Sequence, residues 1–184
     1  MNLATLRQIH SNQVLVATKP GDLGEADAMI TNEAGVTLTI RTADCLPILM
    51  ADTRNHAVAA IHAGWRGVVL EIVPATLEAM ANRFGTRAED LIVAIGPGIC
   101  ERCYEVGSDV AARFTRFFPE RNDLTTRTKI DLAETIHRQL RRNGGTLGQI
   151  DPSGLCTYCR ADLFYSYRRQ RHAAGRMLTS IRIL

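Results

Sequence analysis

The sequence predicts an α+β fold in which mixed β-sheets are layered with about three helices. Strand-like segments outnumber helical ones, and their order along the chain mixes hairpins with longer connections that contain helices. The 184 residues are 46% apolar, which is enough for one sizeable hydrophobic core. Since no linker or internal repeat is evident, we expect residues 1–184 to form a single domain.

Hydrophobic periodicity locates the individual elements. A first strand, broken by polar residues, is predicted over residues 4–17. Further strands are predicted over residues 26–31, 36–40, 46–50, 57–61, 91–95, 163–167 and 177–184. Helices are predicted over residues 68–84, 107–118 and 131–142. Pro74 lies inside the first helix, so that helix is expected to start late or to bend there.

The hairpin predicted from strands 46–50 and 57–61 carries the most informative pair of side chains. Cys45 precedes its first strand and His62 follows its second, 17 positions later, so strand pairing places both at the same end of the sheet. A thiolate beside an imidazole suits a divalent zinc ion, or equally a Cys/His nucleophile pair. The simpler interpretation is a small buried cysteine and a hydrogen-bonded core histidine.

The residues that flank this pair favour a ligand site over core packing. Asp44 precedes the cysteine, and the segment Ala-Gly-Trp-Arg-Gly follows the histidine at residues 63–67. A glycine-flanked turn lets the backbone approach a ligand closely. Arg66 within it is well suited to hold an anion.

Charge and hydropathy exclude several classes of function. The formal net charge is +3, and the arginines are spread along the chain except at residues 138–142 and 168–171, which we interpret as solvated faces. With 5% aromatic residues, a base-stacking surface for nucleic acid is not expected. No apolar run is long enough for a transmembrane helix, and the N-terminus lacks the features of a signal peptide. We therefore expect a cytoplasmic protein without a membrane or nucleic-acid partner.

Five cysteines without a secretion signal argue against a disulfide framework. Four of them form two C-x-x-C pairs, Cys100 with Cys103 and Cys156 with Cys159. Two such pairs are the sequence form of a structural zinc site with four cysteine ligands, although the 53 positions between Cys103 and Cys156 are a long interval for a zinc ribbon. A redox pair at Cys156 and Cys159 is a further alternative.

Four segments together resemble the laccase-domain family. They are TADCLPILMAD, AIHAGWRGV, IGPGICERCYEVG and DLFYSYRR, and the similarity runs from about Leu6 to the C-terminus. The family was first described as multicopper polyphenol oxidases and is now mostly described as zinc-dependent purine nucleoside phosphorylases with adenosine deaminase activity. The resemblance implies a sandwich-like α+β domain and a zinc cofactor, with copper as the alternative metal. The two C-x-x-C pairs do not match the family's metal site.

The resemblance also implies the metal ligands. The Gln-x-His element that ends at His10 matches the position of the family's first ligand, so we expect His10, Cys45 and His62 to bind the metal. Three protein ligands leave a fourth position open for water or substrate, as in catalytic zinc sites. Asp27 belongs to an Ala-Asp-Ala element that lies near the family's pocket, and a turn-capping role fits this residue equally well.

The resemblance and residue type together give the remaining site predictions. Asp44 and Glu105 are candidates for the proton transfer that deamination of adenosine requires. Arg66, Arg41 and the start of the helix after His62 could bind phosphate for phosphorolysis. Gly98, in a Gly-Pro-Gly turn, could bring backbone amides to the substrate. The expected ligands are a purine nucleoside and phosphate; the sequence gives no oligomeric state.

The chain also departs from the family. Members usually begin with an additional stretch that carries a Gly-Gly-Val-Ser type element, which is missing here. Either Met1 is not the natural start of the protein, or the chain is a shortened member with a more open pocket. Three alternatives follow: a Cys45/His62 hydrolase acting on peptidoglycan precursors, a non-catalytic metal-binding module, or a copper-dependent polyphenol oxidase. Five scattered histidines are too few for clustered multicopper centres, although a single copper in the three-ligand site fits.

Overall fold

The computed structural model describes residues 2–145 and 150–184. Its largest sheet is mixed and has six strands: β2 (Val14–Val16), β4 (Ala28–Thr31), β6 (Leu46–Asp52), β7 (Ala57–Ala63), β8 (Leu91–Ile95) and β11 (Ile150–Pro152). Their order across the sheet is β11, β8, β6, β7, β4, β2. The pairs β2–β4 and β8–β11 are parallel, and the other three are antiparallel.

A second sheet has four strands: β1 (Leu3–Arg7), β3 (Gly21–Glu25), β5 (Thr37–Thr42) and β12 (Met177–Arg182). Their order is β12, β5, β1, β3, with β12 antiparallel and the other pairs parallel. A short antiparallel ribbon joins β9 (Glu105–Val106) and β10 (Thr128–Lys129).

The described residues form five α-helices: α1 (Trp65–Val69), α2 (Ile72–Phe84), α3 (Ser108–Ala111), α4 (Leu132–Arg142) and α5 (Tyr167–Gln170). Only α2 and α4 are longer than five residues, whereas we expected about three helices in all. None of the described helices is long and apolar enough to cross a lipid bilayer.

The central strand β7 shows how the layers pack. Its seven residues are all buried. Ala59 and Ile61 pack with the side chains of α2 and α4, while Val58 and Ala60 pack with Leu38 and other residues of the four-stranded sheet. Successive side chains of a strand point to opposite faces, so an apolar run is what a strand between two layers requires. Helices, six-stranded sheet and four-stranded sheet therefore form successive layers, and the α+β fold class is confirmed.

The predicted hairpin is confirmed, with strands longer than expected. β6 and β7 pair in antiparallel register, and Pro47 faces His62. The strand predicted over 4–17 is two strands, which belong to different sheets.

The helix predicted over residues 68–84 is interrupted before Pro74. α1 ends at Val69, Glu71 adopts a left-handed conformation with φ 63°, and α2 begins at Ile72. Pro74 therefore lies in the first turn of α2, where its missing N–H costs no helical hydrogen bond. The late start of this helix is confirmed.

Two other predictions need correction. The helix predicted over 107–118 comprises only α3 and a following 3-10 turn. The strand predicted over 163–167 does not form, since the segment is irregular up to the start of α5. Arg169 donates hydrogen bonds to the carbonyls of Thr157, Tyr158 and Phe164, and these bonds fold the segment back on itself.

Two isoleucines in adjacent strands test the layered packing. Ile48 in β6 is fully buried, whereas Ile92 in β8 is 57% exposed. We expect Ile48→Ala to lower the free energy of unfolding by about 2–5 kcal/mol because it leaves a cavity between sheet and helices. Ile92→Ala should change it by only about 0.5 kcal/mol. Chemical denaturation of both variants measures the difference, and equal losses would contradict the layer assignment.

Candidate metal centre

The structure brings the three predicted ligands together. Cys45 immediately precedes β6, His62 lies near the end of the adjacent strand β7, and His10 lies in the turn between β1 and β2. The ligand atoms of these residues lie within 4.8 Å of one another. The rings of His10 and His62 meet edge to face with centroids 4.8 Å apart. The cluster could therefore hold a metal ion.

A buried carboxylate orients one of these histidines. Asp27 is fully buried, and its Oδ1 lies 2.7 Å from Nδ1 of His62. When Nδ1 carries the proton and donates to Asp27, Nε2 is left as the free ligand atom of His62. Carboxylate–histidine pairs of this type fix the orientation of metal-binding imidazoles and raise their basicity.

The other oxygen of Asp27 holds the turn that presents His10. Its Oδ2 accepts hydrogen bonds from the backbone N–H of Ile9 at 3.2 Å and of Ser11 at 2.6 Å, and from the Ser11 hydroxyl at 2.8 Å. His10 itself has a φ of 61°, a left-handed conformation that is uncommon for residues with a side chain. Asp27 thus positions two of the three candidate ligands.

The electrostatics of the cluster favour a charged pair in the metal-free protein. Burial by itself would raise the pKa of Cys45, but hydrogen bonds with His10 and His62 lower it to about 7. Burial would lower the pKa of His62, but its hydrogen bonds with Asp27 and Cys45 raise it to about 9. For Asp27 burial is outweighed by the hydrogen bonds from His62 and Ser11, which lower its pKa to about 2. The thiolate that a metal requires is therefore accessible near neutral pH.

A glycine allows the cluster to close. A Cβ atom on Gly64 would lie 2.8 Å from Cδ2 of His10 and 3.0 Å from Sγ of Cys45. Both distances are shorter than or at the limit of normal van der Waals contact, so a larger residue would displace the ligands. The glycine predicted to permit close backbone approach packs directly on the candidate metal ligands.

The cluster opens into a cavity of about 770 Å³, a volume within the range of small-molecule sites. All three candidate ligands line it, as do the aromatic residues Trp65, Tyr104 and Tyr167. Six arginines also line the cavity: Arg7, Arg41, Arg66, Arg168, Arg171 and Arg176.

Most of these arginines have no carboxylate partner. Arg7 pairs with Glu25 at 3.1 Å, and no ion pair to a described carboxylate is formed by the other five. Arg66 instead lies over the indole ring of Trp65, 4.5 Å from its centroid. Unpaired guanidinium groups around a cavity attract anions, which makes the pocket suited to a negatively charged ligand.

Both oxygens of the Asp44 carboxylate are already engaged. Oδ1 accepts a hydrogen bond from the Thr157 hydroxyl at 2.6 Å, and Oδ2 accepts one from the backbone N–H of Arg168 at 2.6 Å. Asp44 also has a left-handed φ of 82° immediately before Cys45. This carboxylate joins the cysteine loop to the C-terminal segment and also lines the cavity; the proton transfer expected for it stays a prediction.

Of the other four predicted site residues, three line the cavity and one does not. Glu105, Arg41 and Arg66 line the cavity. Glu105 is exposed and accepts a hydrogen bond from Arg127 at 2.9 Å. Gly98 is absent from the lining: it is buried against Leu46, whose Cδ2 would lie 2.5 Å from a Cβ at this position. Gly98 therefore packs against Leu46, and the substrate contact expected for it stays a prediction.

Sequence reasoning missed the central role of Asp27. Its pairing with His62 depends on β4 lying beside β7, where Ala28 pairs with Ile61. The available signal was an acidic residue at the start of an otherwise buried strand, a position where an unpaired charge would be costly.

A cluster of two histidines and one cysteine that could hold a metal ion, facing an arginine-rich cavity, indicates a small-molecule binding pocket. A family model described as multi-copper polyphenol oxidoreductase laccase matches residues 1–184, and the chain belongs to this laccase-domain family.

Relatives with named activities are similar over most of the chain. A purine nucleoside phosphorylase from Deinococcus radiodurans is 44% identical over 96% of this chain and 68% of its own length. One from Bacteroides thetaiotaomicron is 42% identical over 85% of this chain, which spans 60% of that relative. An adenosine deaminase from an unknown prokaryotic organism is 34% identical over 98% of this chain and 74% of its own length.

The fold agrees with solved structures. The crystal structure of YlmD from Geobacillus stearothermophilus has a TM-score of 0.93 and 30% identity, and the match covers 99% of this chain and 73% of that one. The relatives indicate a family of enzymes of the phosphorylase and deaminase type.

Replacing Asp27 tests its role in positioning His62. We expect Asp27→Asn to weaken metal binding by about 10- to 100-fold, because the imidazole loses its charged partner. Competition with a chromogenic chelator measures the affinity. Asp22→Asn changes an exposed carboxylate in β3 and should leave affinity unchanged. Equal affinity in Asp27→Asn and wild type would show that Asp27 does not act on the metal site.

The lowered pKa of Cys45 predicts its reactivity in the metal-free protein. A lowered pKa means that the thiolate is present at lower pH, so alkylation of Cys45 should reach half its maximal rate near pH 7. Iodoacetamide labelling followed by peptide mass spectrometry gives this profile. A half-point near the ordinary value of 9 would contradict the described hydrogen bonds.

Proposed function

We propose that the protein is a zinc-dependent purine nucleoside phosphorylase that also deaminates adenosine. The observation that carries the proposal is the opening of the His10, Cys45 and His62 cluster into a cavity lined by five arginines that form no ion pair with a described carboxylate. The names of the relatives support the proposal: those from Deinococcus and Bacteroides are purine nucleoside phosphorylases, and the one from an unknown prokaryotic organism is an adenosine deaminase. We also propose that the protein is cytoplasmic and that residues 1–184 form a single domain.

The donor set fits zinc. Two imidazole nitrogens and one thiolate are common zinc ligands, and three protein ligands leave a position open. The buried Asp27 beside His62 supplies the outer hydrogen bond that such ligands usually have. A zinc ion bound here supplies Lewis acidity to an oxygen of water or substrate.

Phosphorolysis requires a phosphate beside the ribose. A phosphate oxygen forms a bond to C1′ while the bond from C1′ to N9 of the purine breaks, and the departing base takes up a proton. Arg66, Arg41 and Arg168 are the guanidinium groups we assign to holding the phosphate. α1 has only five residues, so its N-terminal dipole contributes less than expected from the sequence.

Deamination requires a carboxyl group that moves protons while water adds at C6 and ammonia leaves. We assign this role to Glu105, because one of its oxygens has no described partner and the residue lines the cavity. Asp44, with both oxygens hydrogen-bonded, is the positioning residue for Cys45 and Arg168.

The Cys45→Ala variant tests the assignment of metal and activity to one site. We expect its zinc content at the cluster to be lost and both activities to fall at least about 100-fold, since the thiolate ligand is removed. Elemental analysis and assays of inosine with phosphate, and of adenosine alone, measure the two effects. A Cys45→Ala variant that has lost the zinc of this cluster and remains active would contradict the scheme.

Arg66→Ala tests phosphate binding separately from metal binding. We expect the KM for phosphate to rise about 10-fold while the zinc content and the deamination of adenosine stay unchanged. Arg54→Ala is the matched control, because Arg54 lies in the turn at the opposite end of the hairpin and pairs with Asp90. An unchanged KM for phosphate in Arg66→Ala would remove this residue from the phosphate site.

A second candidate function has one observation in its favour. The lowered pKa of Cys45 beside His62 would also suit a thiol hydrolase of amide or ester bonds, as in peptidoglycan precursors. In that case an alkylating agent should inactivate the metal-free protein, and added zinc should inhibit. Activation by zinc supports the phosphorylase and deaminase proposal instead. Zinc binding without turnover of either substrate class would favour a non-catalytic metal-binding module.

A further inference from the structure

The four remaining cysteines lie together, and none of them lines the cavity. Cys100 precedes a 3-10 turn that ends at Cys103, and Cys156 and Cys159 lie in the loop after β11. The four sulfur atoms lie within 4.8 Å of one another, and Sγ of Cys103 is 3.4 Å from Sγ of Cys159. Cys45, the fifth cysteine, belongs to the histidine cluster.

The sheet topology explains why two distant C-x-x-C pairs meet. β8 and β11 are parallel neighbours, with Val93 opposite Ile150, so the loops that follow them leave the same edge of the sheet. The two loops then continue side by side, since Gly98 forms a bridge with Cys156. The long interval between the pairs is spanned by the ribbon and by helices α3 and α4.

We propose that Cys100, Cys103, Cys156 and Cys159 bind a structural zinc ion that is distinct from the ion at His10, Cys45 and His62. Two C-x-x-C pairs that converge in this way are the usual ligand set of a tetrahedral zinc site. With zinc–sulfur bonds of about 2.3 Å, a tetrahedron places its sulfurs about 3.8 Å apart, and the four sulfur atoms here all lie within 4.8 Å of one another. Zinc fits better than iron because a cross-link between the two loops needs no redox change.

Backbone hydrogen bonds support a thiolate at this position. The N–H of Cys100 donates to Sγ of Cys156 at 3.3 Å, and the backbone of Cys159 also donates to that sulfur. These N–H groups come from both loops, and bonds of this type favour the charged form of a sulfur. The scaffold is therefore already arranged for a metal-bound thiolate.

The ion would fasten two segments that build the active-site wall. Tyr104, next to Cys103, lines the cavity. Thr157, next to Cys156, donates to Asp44, which precedes the metal ligand Cys45. The site thus holds the position of Thr157 and Tyr104 relative to each other, as a covalent cross-link would.

Zinc content and cysteine protection test this inference independently of catalytic activity. Purified under reducing conditions, the wild-type protein should contain two zinc ions per chain by elemental analysis. Cys45→Ala and the double variant Cys103→Ser/Cys159→Ser should each contain one, and the triple variant should contain none. Equal zinc content in wild type and the double variant would overturn the proposal. Iron in place of zinc would overturn the choice of metal.

A second measurement on the wild type avoids any folding defect of the variants. Cys159 is exposed, so as a free thiol it should react rapidly with iodoacetamide. With zinc bound, we expect all four cysteines to resist alkylation until a chelator is added, after which they react together. Rapid labelling of Cys159 in the zinc-replete protein would overturn the proposal, as would a disulfide between Cys103 and Cys159 found by non-reducing peptide mapping.

The consequences for stability follow from the cross-link. Removal of this zinc should lower the melting temperature and should raise the KM for nucleoside, whereas the zinc at His10, Cys45 and His62 should be retained. These effects distinguish the four-cysteine site from the proposed catalytic site. A protein that contains both zinc ions but shows no activity would contradict the proposed function and leave the four-cysteine site unaffected.

Discussion

The hydrogen-bonded pair of Asp27 and His62 is the interaction on which the rest of the site depends. A fully buried carboxylate is costly unless its charge is compensated, and here it meets the imidazole on one oxygen and three donors on the other. These bonds join strand β7 of the central sheet to the turn that carries His10. Because one side chain positions two candidate ligands, the geometry of the metal centre is determined largely by packing around Asp27.

A second buried carboxylate organises the opposite wall of the cavity. Asp44 connects the loop of Cys45 to Thr157 and to the start of α5, so the cysteine ligand and the C-terminal segment are fixed together. The proposed four-cysteine zinc site would strengthen the same connection, because Cys156 precedes Thr157, the hydrogen-bond partner of Asp44. The loop of Cys45 and the C-terminal segment are thus held together by specific polar contacts.

Local patterns were sufficient to predict the hairpin, the late start of the helix that contains Pro74 and the helix over 131–142, because periodicity, turn residues and caps act within a few residues. The three candidate ligands came from the hairpin together with the family resemblance. The two C-x-x-C pairs indicated a four-cysteine site as one alternative. Their convergence through β8 and β11, and the pairing of Asp27 with His62, depend on contacts between strands that are distant in sequence. The false strand at 163–167 has alternating residues, but side-chain bonds from Arg169 hold it as a loop.

The most direct test of the central claim is a crystal structure of the zinc-loaded protein with anomalous diffraction data collected at the zinc edge. We expect an anomalous peak that marks a zinc ion bound by His10, Sγ of Cys45 and Nε2 of His62. Nδ1 of His62 should still be hydrogen-bonded to Asp27. A zinc-replete crystal with no peak between these three side chains, or with His62 turned away from Asp27, would contradict it.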